Sequence, residues 1–138
     1  DADPDGAGYY RERLAAFTAE LAALDQRLAA ALAPVRGRTL LVFHPSFGYF
    51  ADAYGLHQEA IEVAGKEPSA AQLARIIERA RDLDARVVFV QPQFSRDSAA
   101  AVAAAIDGAV LAIDPLAPDW QANLERIAAT VADALEAE

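Results

Sequence analysis

Three short runs of apolar, β-branched and aromatic residues constrain this chain more than anything else in it. They are Thr39-Leu40-Leu41-Val42-Phe43, Val87-Val88-Phe89-Val90 and Ala109-Val110-Leu111-Ala112-Ile113. A strand that is apolar at successive positions must be covered on both faces, which is the condition of buried strands in a parallel sheet flanked by helices. Gln58 to Val63 alternates in polarity instead and is expected to be an edge strand. Helical patterns fill the spaces between. Ser69 and Gln72 form a capping box ahead of Leu73, Ile76, Ile77, Ala80 and Leu83. Arg96 to Ile106 is an Ala-rich helix, and Asp119 caps a stripe of Trp120, Leu124, Ile127, Val131 and Leu135.

Ahead of the first strand the periodicity is purely helical. Asp3 suits an N-cap and Pro4 the first helical position. Leu14, Phe17, Leu21, Leu24 and Leu28 follow at spacings of three and four, and Leu32 and Val35 extend the stripe to Pro34 and Gly37. A helix over Pro4 to Ala33 is about 45 Å long. The expected fold is therefore α/β: a long N-terminal helix (residues 1–36), then a four-stranded parallel sheet with helices on both faces (residues 37–138).

With 12 basic and 21 acidic residues the formal charge is −9, which argues against nucleic acid or an anionic membrane as a partner. There is no Cys, hence no disulfide framework and no thiolate metal site. No apolar run approaches the roughly 20 residues of a membrane-spanning helix. The opening residues lack a charged-then-apolar leader, and the chain contains no Met. The expectation is a processed mature protein or a piece of a longer one.

Ligands of open parallel sheets bind outside the carboxyl ends of the strands. Three strands here deliver a polar residue and then Pro to that edge: His44-Pro45, Gln91-Pro92 and Asp114-Pro115. His44 and Asp114 carry metal-ligand chemistry, an imidazole nitrogen and a carboxylate oxygen. Each also has a purely structural use, His44 as a helix cap and Asp114 as a turn former. His57 opens the edge strand and reads as a surface residue. Ser46 and Ser95 lack the glycines of a nucleophile elbow, and nothing in the pattern orients His44 as a base. Gly6-Ala7-Gly8 follows no strand, so it is no dinucleotide fingerprint.

Phe43-His44-Pro45-Ser46-Phe47-Gly48-Tyr49-Phe50, continuing to Tyr54-Gly55-Leu56, resembles the C-lobe signature of metal receptors from zinc/manganese-type ABC importers. Gly65-Lys66-Glu67-Pro68-Ser69, Phe89-Val90-Gln91-Pro92-Gln93-Phe94-Ser95 and Ile113-Asp114-Pro115-Leu116 continue the likeness in order, and the opening helix resembles the one joining the two lobes. The resemblance implies that His44 and Asp114 are metal ligands. It implies zinc as cargo, with manganese less favoured because a histidine stands where manganese receptors carry glutamate. It also implies an ABC permease as partner, a periplasmic or otherwise extracytoplasmic location, and two further histidines from an N-terminal lobe that this chain lacks. Two ligands do not make a closed four-coordinate zinc site. The alternative is a free-standing α/β module that self-associates through its long helix. The metal reading requires His44 and Asp114 on one sheet edge, with one strand between theirs.

Overall fold

A computed structural model describes residues 3–62, 66, 68–94 and 96–137. The long helix α1 spans Ala7–Leu32 and passes into a 3-10 turn over Ala33–Val35 that contains Pro34. Then follow β1 (Thr39–Val42), α2 (Gly48–Tyr54), β2 (His57–Ala60), α3 (Ala70–Asp82), β3 (Val87–Val90), α4 (Asp97–Ala105), β4 (Ala109–Ala112) and α5 (Trp120–Glu136). The strands form one parallel sheet in the order β2-β1-β3-β4. This is the expected α/β architecture, with β2 at an edge.

The helix start differs from the expectation. Asp3 Oδ1 accepts from the Gly6 amide at 3.1 Å, and the Ala7 amide donates to the Pro4 carbonyl at 3.2 Å. Residues 3–6 are thereby a turn of their own, and α1 begins at Ala7 rather than Pro4. Gly6, a poor helix former, stands at the N-cap. The edge strand is also shorter than Gln58–Val63, although pairing runs on through Ile61 and Glu62, whose amides donate to Val42 and Phe43. Val63 lies outside the described residues.

The sheet separates two apolar layers, and the strands supply both by simple alternation. Leu40, Val42 and Phe89 face α1, α2 and α5, where they meet Leu24, Leu28, Leu32, Ile127, Val131 and Leu135. Leu41, Phe43, Val88 and Val90 face α3 and α4, against Ala80, Ala99, Val102 and Ala103. That double coverage is why the strand runs are apolar throughout.

Only the last part of α1 belongs to this core. Leu24, Leu28 and Leu32 are buried, whereas Tyr9, Tyr10, Leu14, Phe17 and Leu21 are exposed, Leu14 at 65%. Phe17 touches the chain at an edge-to-face contact with Trp120, ring centroids 6.2 Å apart.

The Tyr-Gly-Leu segment turns the chain from α2 into β2. Gly55 has φ 72, the left-handed cap conformation that favours glycine. Tyr54 donates its hydroxyl to Asp25 Oδ1 at 3.0 Å, which ties α2 to α1. Burial, then the hydrogen bond to Asp25 and its negative charge, push the Tyr54 hydroxyl from 10.0 up to about 12. The folded state thus holds this proton more tightly than the unfolded chain. Its contribution is complete below the ordinary value and is lost as pH rises through the interval from 10.0 to about 12. Urea midpoints measured across that interval should fall, and Tyr54→Phe should flatten the fall. An equal fall in both proteins would assign it to other groups.

Candidate metal site

The order β2-β1-β3-β4 puts the ends of β1 and β4 on the same edge of the sheet, with β3 between them. His44 follows β1 and Asp114 follows β4, so the two are carried at that edge by strands two spacings, about 10 Å, apart. His57 opens β2 at the opposite edge and is exposed, as expected of a surface residue.

His44 sits in a frame built by its lateral neighbours. The register that pairs Val42 with Ala60 continues to His44 and Glu62, and the one that pairs Val42 with Phe89 continues to His44 and Gln91. Glu62 Oε2 lies 2.7 Å from His44 Nδ1. On the other side Gln91 accepts from the His44 amide at 3.3 Å and donates to the His44 carbonyl at 2.7 Å and to Ser46 Oγ at 2.8 Å. The ring stacks on Phe94, centroids 4.7 Å apart and planes 19° from parallel.

Asp114 is held in the same manner. Its Oδ1 accepts from Gln93 Nε2 at 2.8 Å and from the Leu116 amide at 3.0 Å, an Asx turn over Pro115. The Gln93 bond, and after it the Leu116 bond, holds the carboxyl below the ordinary carboxylate range, so it is anionic at neutral pH. Asn123 on α5 donates to the Asp114 carbonyl at 2.6 Å.

Among the described residues the buried polar side chains are Glu62, Gln91 and Asn123. All three are engaged with His44 or Asp114. Burying a polar group costs free energy unless it is hydrogen-bonded, and such groups are costly to place anywhere else in an apolar core. Their concentration at one edge marks that edge as the part of the lobe built for something other than stability. The sequence pattern singled out His44 and Asp114 but assigned no role to Glu62, Gln91 or Asn123. The donor set is incomplete as a cage: among the described residues no three His, Asp or Glu side chains gather closely enough to hold an ion.

A parallel sheet with its buried polar side chains gathered at the carboxyl edge, preceded by a helix that overhangs the core, defines a lobe of the α/β class. The chain belongs to the family of zinc-uptake complex component A, periplasmic, whose family model matches residues 1–134. It is 38% identical over 120 residues to the high-affinity zinc uptake system protein ZnuA of Paracoccus denitrificans (strain Pd 1222), covering 82% of this chain and 36% of that protein. A solved crystal structure of ZnuA superposes with a TM-score of 0.91 at 46% identity, over 97% of this chain and 52% of the other. The laminin-binding protein Lmb of Streptococcus agalactiae, described as an adhesin with metal-transporting activity, superposes with a TM-score of 0.85 at 25% identity, over 97% of this chain and 55% of that one. The chain thus spans about half the length of these solved relatives, and about a third of the Paracoccus protein.

Proposed function

We propose that this chain is the C-terminal lobe, with its connecting helix, of an extracytoplasmic receptor that binds zinc and hands it to an ABC permease, and that His44 and Asp114 are its zinc donors. The observation that carries the reading is the shared edge: an imidazole braced by the buried Glu62 and an anionic carboxylate held by Gln93 and the Leu116 amide, in a chain of the zinc-uptake family. Imidazole favours zinc over the harder manganese ion. Zinc in a closed site takes four donors, so the remaining ones come from the part of the longer relatives that this chain does not span, or from water. The lobe alone is therefore a weak binder, and the metal is cargo rather than a catalytic centre.

Calorimetric zinc titration of the chain tests this. His44→Ala should weaken binding by about 100-fold or more, at or beyond the top of the range seen when only an outer-shell partner is lost. Asp114→Asn should weaken it less, and His57→Ala should leave it unchanged. Binding that survives His44→Ala and vanishes in His57→Ala would move the site to the opposite edge and overturn the reading.

Tyr10, Leu14 and Phe17 are surface for a second lobe to pack against, and when that lobe is absent they favour self-association.

A further inference from the structure

We propose that Glu62 is a positioning residue: it fixes His44 as the Nδ1–H tautomer and so presents Nε2 to the zinc ion. The proposal rests on the reading of His44 as a zinc donor and adds which nitrogen binds and what selects it. Glu62 is an acid in the core, its side chain 5% exposed, with a carboxylate oxygen 2.7 Å from Nδ1. A carboxylate in its ionised form can only accept a hydrogen bond, so beside it Nδ1 carries the proton, and in the neutral imidazole Nε2 then keeps the lone pair. A free histidine side chain prefers the opposite tautomer. The carboxylate is held there by the sheet itself, since the Glu62 amide donates to the Phe43 carbonyl at 3.0 Å. Phe94, stacked on one face of the ring, opposes a rotation that would turn Nδ1 away from Glu62 and put a ring carbon in its place. A metal-bound imidazole commonly has its second nitrogen engaged by a carboxylate in this way, which sets ring orientation and raises ligand basicity. Here the arrangement is present in the lobe without help from any other part of a receptor.

The test reads the tautomer before any metal is added. Long-range proton–nitrogen correlation spectra of the histidine-labelled chain are recorded at about pH 8.5, well above the ordinary imidazole value of about 6.5. His44 should show a protonated Nδ1 and a pyridine-like Nε2, while His57, which is exposed, supplies the internal reference for the opposite form. Glu62→Ala should shift His44 to the Nε2–H form and weaken zinc binding by about 10- to 100-fold. Glu62→Gln keeps an acceptor at the same place and should retain the Nδ1–H form with a smaller loss. If Glu62→Ala does not fold, the native tautomer and the Glu62→Gln titration still decide. A native His44 with its proton on Nε2, or undiminished zinc binding in folded Glu62→Ala, overturns the assignment of Glu62 while leaving His44 as donor. Zinc binding that survives His44→Ala overturns both.

Discussion

Phe89→Ala is expected to lower the unfolding free energy by about 3–5 kcal/mol, the range for truncating a buried aromatic side chain. Phe89 is the third residue of β3, an interior strand, and is 0% exposed. It belongs to the layer between the sheet and α1, α2 and α5, so its removal opens a cavity lined by elements that are themselves tied together. Those elements cannot all relax inward at once, which keeps the cost toward the upper part of the range. A domain of this size is stable by about 5–15 kcal/mol, so the loss is a large share of the total. Urea unfolding followed by circular dichroism measures it, with an unchanged slope showing that the unfolded state is unaltered. A loss below about 1 kcal/mol would mean that the layer collapses freely around the gap and that the described packing is not what holds the helices.

The second large effect concerns association. Tyr9, Tyr10, Leu14, Phe17 and Leu21 form an apolar ridge on α1 that the lobe leaves uncovered, with Leu14 at 65% and Phe17 at 45% exposure. Burial of a large apolar side chain is worth about 1.5–3 kcal/mol when complete, and several side chains share this ridge. The chain alone is therefore expected to self-associate at micromolar concentration, and sedimentation velocity should show a species heavier than 14.7 kDa that dissociates on dilution. Leu14→Glu combined with Phe17→Glu should restore the monomer. Neither residue is among the buried core positions, so the double variant should unfold at nearly the native urea concentration. A monomeric native chain would show that the ridge is too narrow or too mobile to hold a partner.

The elements most legible in the sequence were those in which local preference and tertiary packing agree. Val87–Val90 reads as a buried strand because every residue is apolar and three are valine, and both faces of β3 are indeed covered. The Ser69/Gln72 capping box marks the start of α3, because its two reciprocal bonds are local. The start of α1 was misplaced by three residues because Asp3 can satisfy a turn as readily as a helix, and only the distances to Gly6 and Tyr10 distinguish the two. At the candidate site, His44 and Asp114 were legible because each directly follows an apolar run. Glu62 was not, since it lies 18 residues from His44 and looks like the polar face of an edge strand. The signal was nonetheless in the register: once β1 and β2 are paired, Glu62 must stand beside His44. Gln91 beside His44 follows from the β1–β3 register in the same manner.

The uneven anchoring of α1 has a mechanical consequence. Leu24, Leu28 and Leu32 clamp the last turns of the helix into the core, while the turns from Tyr9 to Leu14 project beyond it and Phe17 meets the rest of the chain at the edge of Trp120. An α-helix is stiff over this length, so the free end moves as a lever about the clamp. Tyr9 lies 15 residues before Leu24, an arm of about 22 Å at 1.5 Å per residue. A tilt of about 5° at the clamp then carries the far end through about 2 Å. The clamp packs on α5, the helix whose Asn123 holds the Asp114 loop, and Tyr54 joins α1 to the helix that follows the His44 loop. Whatever docks on the projecting end is thus linked to both sides of the candidate site through a single helix.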